Sequence, residues 1–120
     1  MSKTILVVDD SSSVREVVGI ALKGAGYDVI EACDGQDALT KLNGQKIHLI
    51  VSDVNMPNLD GIGLVIQVKQ NPDYKFTPIM MLTTESQDDM KQKGKAAGAK
   101  AWLVKPFQPD ALLSAVAKLA

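Results

Sequence analysis

Five short apolar runs, TILVV at Thr4–Val8, DVIEA at Asp28–Ala32, IHLIVS at Ile47–Ser52, IMML at Ile79–Leu82 and AWLV at Ala101–Val104, alternate with segments whose apolar residues recur at helical spacing. Runs of this length, β-branched and nearly continuous, fit strands buried on both faces. Strand–helix alternation implies right-handed crossovers, which place helices on both faces of a parallel sheet. The chain has 120 residues, and a closed eight-unit barrel needs about twice that length. An open, doubly wound α/β sheet in one domain, residues 1–120, is the expected architecture.

The helical segments carry their own start and stop signals. In the first, Val14, Val17, Val18, Ala21 and Leu22 form the inward stripe, Ser13 and Glu16 fit a capping box, and Gly24 with Gly26 ends it. Asp34-Gly35 opens the second, whose stripe is Ala38, Leu39 and Leu42 and which ends near Gly44; Asp60 caps the third, with Leu64, Val65 and Val68 inward and Asn71-Pro72 as its stop. The fourth is expected from about Ser86 to Ala97, with only Met90, Ala96 and Ala97 inward. Gly94 inside it costs about 1 kcal/mol relative to Ala, making this the weakest and most mobile helix. The fifth runs from Pro109 to Leu119 with Leu112, Leu113 and Val116 inward.

Composition excludes several classes. Hydrophobic residues make up 46% and the formal net charge is -1, which fits a soluble globular protein and argues against nucleic-acid binding over the whole surface. The single cysteine, Cys33, permits no internal disulfide and reads as an inert buried thiol, with a nucleophile in a cleft as the alternative. The first apolar run is too short for a signal peptide and no segment approaches membrane-spanning length, so a cytosolic protein is expected.

Function is read from what the strands deliver to one edge. Parallel strands bring their C-terminal ends together, and ligands bind there. The first strand ends in Asp9 and Asp10, the third in Asp53, the fourth in Thr83 and Thr84, and the fifth in Lys105. Asp53 alone reads as a turn residue before the Pro-containing loop Asn55–Asp60. Three converging carboxylates, however, repel one another and call for a cation; Mg2+, which takes oxygen ligands and keeps several waters, is the natural partner. Solvated acids without a metal are the alternative. Lys105 and the Thr83 hydroxyl would bracket an anion on the central acid, making Asp53 a nucleophile that becomes an aspartyl phosphate. No GxxxxGK[ST] or GxGxxG cradle is present, which argues against nucleotide binding in the usual manner. The single His48 lacks partners at metal-ligand spacing and reads as structural.

The motifs VVDD at Val7–Asp10, SDVNMPNLDG at Ser52–Gly61, MLTTE at Met81–Glu85 and LVKPF at Leu103–Phe107 resemble those of the receiver domain of bacterial two-component response regulators, and specifically the small stand-alone chemotaxis regulators of the CheY type. The resemblance covers the whole chain. It implies a flavodoxin-like five-stranded parallel sheet of order 2-1-3-4-5 with five helices, and a phosphoryl group accepted on Asp53 from a histidine kinase. It further implies Mg2+ held by Asp10 and Asp53, with Asp9 assisting and Asn55 adding its backbone carbonyl. Thr83 would bind and report the phosphoryl group, Lys105 would pair with it, the Lys105-Pro106 bond would be cis, and Asn55 and Glu85 would tune the phosphoryl lifetime. The output of such a protein is a change at the face made by the fourth helix, fifth strand and fifth helix, read in chemotaxis by the flagellar motor switch to control flagellar rotation. A cytoplasmic monomer is implied.

Three departures from the family pattern stand out. Trp102 replaces the usual Tyr or Phe that swings inward when Thr83 moves; its alternative is an indole fixed against the sheet edge. Thr84 is larger than the usual Ala or Gly and would narrow access to Asp53. Asp88 and Lys91 occupy fourth-helix positions where motor-binding regulators carry a basic and an aliphatic residue, which disfavours that partner; Lys91, Lys93 and Lys95 otherwise read as a solvated face. A phosphate sink or relay receiver is the alternative within the family. Outside it, a haloacid dehalogenase-type phosphatase would also use an Asp nucleophile with magnesium, but it needs a second acid where this chain has Asn55 and cap segments for which there is no room. A purely structural flavodoxin-like binding domain is the third option.

Overall fold

The computed structural model describes residues 3–54, 56–83, 88–105 and 107–120, with backbone alone for 88–91. Strands β1 (Thr4–Val8), β2 (Asp28–Ala32), β3 (Leu49–Asp53), β4 (Ile79–Thr83) and β5 (Ala101–Val104) alternate with helices α1 (Ser12–Gly24), α2 (Gly35–Lys41), α3 (Gly61–Gln70), α4 (Asp88–Ala97) and α5 (Pro109–Leu119). The strands form one parallel sheet in the order β2-β1-β3-β4-β5, the expected flavodoxin-like arrangement.

Strand alternation divides the core in two. Ile5, Val7, Leu49, Val51, Met80 and Leu82 pack with Val18, Leu22, Leu112 and Val116 from α1 and α5. Leu6, Val8, Ile50, Ile79 and Met81 point the other way, onto Ala38, Leu64, Val65 and Val68 from α2 and α3, with Ala97 of α4 and Trp102 at the margin. Both faces are covered, so β3 and β4 are buried along their full length. No helix among the described residues is long and apolar enough to cross a membrane.

Several local expectations are corrected. The cap of α1 is Ser11, whose hydroxyl accepts from the Val14 N–H at 3.3 Å, and not Ser13. The Ser11 N–H donates to Asp9 Oδ1 at 2.9 Å, a turn that starts the helix two residues early. Val17 faces solvent, 58% exposed, because the buried stripe runs through Val18, Gly19 and Leu22. β3 begins at Leu49; His48 just before it ties the chain to the start of β1, its N–H donating to the Thr4 carbonyl and its Nδ1 accepting from the Thr4 N–H. His48 is thus structural, as expected. Helix α2 stops at Lys41, with Leu42 as its cap rather than part of its last turn. Cys33 lies beyond the end of β2 and is exposed, not buried. In α4, Ala96 is exposed and the buried residue is Gly94; Ser86 and the Met90 side chain lie outside the described residues.

Candidate functional site

Asp53 closes β3 with its backbone clamped on one side. A Cβ on Gly61, the first residue of α3, would run into the Asp53 carbonyl oxygen and sit 2.5 Å from Met81 Cε, so only glycine lets α3 start this close to the strand. The Gly61 N–H donates to the Val54 carbonyl at 2.9 Å, and Asp60 caps the helix by accepting from the Gly63 N–H at 2.7 Å. The Val54 N–H in turn donates to Asp53 Oδ1 at 2.9 Å. The carboxylate is held by its own strand end.

One strand over, β1 delivers Asp9 and Asp10. Asp9 is 1% exposed and Asp10 is open to solvent. Carboxylate oxygens of Asp9, Asp10 and Asp53 all lie within 4.8 Å of one another. From the far side comes Lys105, just past β5, whose Nζ stands 3.1 Å from Asp9 Oδ2 and 3.2 Å from Asp53 Oδ1. The Lys105 N–H also donates to the Thr83 carbonyl at 2.6 Å, which ties the ends of β4 and β5 together.

Electrostatics follows from this crowding. Burial, and then the neighbouring Asp9, push the Asp53 carboxyl above the ordinary range, with Lys105 opposing the rise. Burial alone would lower Lys105, but Asp53 and Asp9 together lift it above its usual value. One ammonium cannot neutralise three carboxylates. An all-oxygen set with a surplus of negative charge is the donor chemistry that a hard divalent ion takes. The Thr83 hydroxyl, at the end of β4, is fully buried and has no hydrogen-bond partner among the described residues, which leaves its donor unspent.

Of the sequence-derived candidates, the structure brings Asp9, Asp10, Asp53 and Lys105 to one end of the sheet, with Thr83 at the end of β4. Trp102 lies on the α4 side of β5, half-buried, its six-membered ring over Gly94 and near Ile62. Asn55, Thr84, Glu85, the Lys105-Pro106 bond and the side chains of Asp88 and Lys91 lie outside the described residues.

Three contacts were not foreseen. Arg15, one turn into α1, donates from Nη1 to the Asp9 carbonyl and from Nε to Glu31 Oε1 at 3.3 Å, fastening the acid-bearing turn to the end of β2. Asp34 and Asn58 are joined by a 2.7 Å hydrogen bond. An Arg following two acids at the start of a helix was a readable signal for the first. Nothing local links Asp34 to Asn58, which are 24 positions apart.

Comparison with known proteins places this arrangement in a family. A model of the response regulator receiver domain matches residues 5–117. The structure of the Vibrio cholerae chemotaxis protein CheY4 superimposes with a TM-score of 0.94 at 47% identity, covering all of both chains. Protein PilG of Pseudomonas aeruginosa is 38% identical over 112 residues, which span 93% of this chain and 83% of that protein. The alkaline phosphatase synthesis transcriptional regulatory protein PhoP of Bacillus subtilis is 43% identical over 109 residues, but the match covers only 45% of that longer protein. The chain thus spans about half the length of a transcriptional regulator of this kind.

Proposed function

Since the chain belongs to the response regulator receiver domain family, we propose that it is a phosphoacceptor in a two-component phosphorelay, taking a phosphoryl group onto Asp53 from a histidine kinase with Mg2+ as cofactor. The observation that carries this reading is Lys105, which bridges Asp9 and Asp53 at 3.1 and 3.2 Å while leaving the carboxylate cluster short of positive charge.

In the transfer, a carboxylate oxygen of Asp53 attacks the phosphorus of a phosphohistidine. The new O–P bond forms as the P–N bond breaks, and its electron pair leaves on the imidazole nitrogen. Lys105 turns from Asp53 toward the added phosphoryl oxygens, and the Thr83 hydroxyl donates to another of them. Asp9 and Asp10, with Asp53 and the Asn55 carbonyl, would hold the Mg2+, which supplies charge neutralisation on the transferring group. Water returns Asp53 to its carboxylate by attacking phosphorus as the Asp53 O–P bond breaks and inorganic phosphate leaves, and Asn55 and Glu85, by resemblance to the chemotaxis type, would tune that rate. This is slow self-chemistry in a signalling domain, not turnover by an enzyme.

The output reading places a change at α4, β5 and α5, transmitted through Thr83, Thr84 and Trp102. Likeness to the chemotaxis protein CheY4 along both chains supports a chemotaxis role; a cytoplasmic monomer with a flagellar motor switch protein as partner is what the resemblance of the sequence motifs adds to that reading. Asp88 and Lys91 favour instead a phosphate sink or relay receiver that leaves the motor alone. Acetyl phosphate with MgCl2 should add one phosphoryl group by intact mass, lost in Asp53→Asn; no modification of the native chain would sink the reading. Titrating the phosphorylated chain against a motor-switch peptide decides between the two outputs.

A further inference from the structure

We propose that Asp34 and Asn58 form a latch that sets the position of the loop between Asp53 and α3, and so act as positioning residues for cation binding although neither lies in the acidic cluster. The inference rests on the Mg2+ site proposed above.

A helix cap needs one acceptor oxygen. Asp34 uses Oδ1 for that, receiving the Asp37 N–H of α2 at 2.7 Å, and gives Oδ2 to the Asn58 side-chain amide at 2.7 Å. The carboxylate is 7% exposed. Its pKa is held below the ordinary range by the Asp37 backbone N–H and then by Asn58, so it is charged at neutral pH and the bond is charge-assisted.

The loop side is shaped to meet it. Asn58 is the one non-glycine residue with positive φ among the described residues, at 67°, a conformation that Asn adopts more readily than most side chains. The turn there brings the Leu59 carbonyl onto the Gly35 N–H at 3.0 Å. A Cβ on Gly35 would collide with that carbonyl and sit 2.8 Å from Leu59 Cβ, so α2 and the loop meet without a spare atom between them.

Sheet order gives this contact its meaning. The loop leaves β3 at Asp53, yet it is gripped just past the end of β2, and β1 lies between those two strands. The loop therefore passes the C-terminal end of β1, where Asp9 and Asp10 emerge. Its two ends are joined at the base, where the Gly61 N–H donates to the Val54 carbonyl, and its far side at Asn58 and Leu59 is held by Asp34 and Gly35. A loop held at its base and its far side beside a metal site fixes the position of whatever ligand it offers, and groups that support a ligand are worth about tenfold or more in metal affinity.

Reversing the polarity of the latch tests it. Asn58→Asp sets a carboxylate against Asp34 and opens the contact; adding Asp34→Asn restores a donor–acceptor pair with the roles exchanged, and asparagine caps a helix as well as the aspartate it replaces, so α2 keeps its start. Mg2+ binding to the full chain is read by calorimetry, with thermal midpoints in the same buffer. About tenfold weaker binding in Asn58→Asp is expected, although a nearby negative charge by itself would strengthen it, and the double variant should return to within about twofold of the native chain. Should Asn58→Asp not fold, Asn58→Gly keeps the positive φ and removes only the amide. Native affinity in a folded single variant with a lowered midpoint would overturn the latch and leave the site standing. Absence of Mg2+ binding in the native chain would overturn the functional reading and the latch together.

Discussion

The six-membered ring of Trp102 lies over the α-carbon of Gly94, in space that any other residue's Cβ would occupy. The glycine that weakens α4 by propensity is therefore the one that admits the indole. The glycine and the large aromatic explain one another.

Adding a methyl at Gly94 tests this coupling. Gly94→Ala gains about 1 kcal/mol of helix propensity but drives a Cβ into Trp102 Cη2 and Cζ2. Overpacking of this type costs about 1–3 kcal/mol, so a net loss of stability is expected, with a changed Trp102 emission spectrum. Trp102→Phe in the Gly94→Ala background should recover most of the loss. Additive effects in a denaturation-based double-mutant cycle would contradict it.

Lys105→Met removes the cation between Asp9 and Asp53. Without metal, the exposed repulsion should cost about 1–3 kcal/mol. Mg2+ should bind several-fold tighter, on the order of 1 kcal/mol, because no ammonium competes for the same carboxylates. Calorimetric titration and urea unfolding with and without MgCl2 measure both effects; weaker Mg2+ binding would mean that Lys105 does not compete with the ion.

The raised Asp53 pKa fixes a pH dependence. A carboxyl that holds its proton more tightly folded than unfolded favours folding at low pH, and that contribution is lost as pH rises from the unfolded carboxylate value through the raised folded one. Metal-free Asp53→Asn should therefore gain stability relative to the native chain across that window and keep the gain above it. Unfolding curves in chelator at a series of pH values check it; a constant difference at all pH values would refute the assignment.

Much of this was written locally. The apolar runs predicted the sheet because β3 and β4 are buried on both faces, and Asp9, Asp10, Asp53, Thr83 and Lys105 were readable as strand-end residues once the strands were parallel. Val17 was misread because the buried stripe of α1 runs through Val18, Gly19 and Leu22, and a glycine on the inward face gives periodicity no apolar signal to follow. Cys33 was misplaced because it alone turns outward between buried Ala32 and buried Asp34, a detail of the turn that strand patterning does not encode. Gly94 and the Asp34–Asn58 pair were illegible for a different reason: each is defined by a partner brought to it only by the tertiary fold.

Thr83→Val is expected to stabilise the resting protein. The Thr83 hydroxyl is fully buried without a partner among the described residues, and an apolar replacement of the same shape removes that unmet bond, a gain of about 1 kcal/mol. Thermal unfolding in metal-free buffer measures it; a loss of stability would show that the hydroxyl is already satisfied.

That hydroxyl also bears on signalling noise. An unmet bond of about 1–3 kcal/mol in the resting arrangement narrows the gap to any alternative in which Thr83 finds an acceptor, and each 1.4 kcal/mol of narrowing raises the minor population about tenfold. On the proposed phosphoacceptor reading, an unphosphorylated pool would then contain a standing fraction of protein already in its signalling shape. The buried hydroxyl would make phosphorylation an amplification of that background rather than its origin.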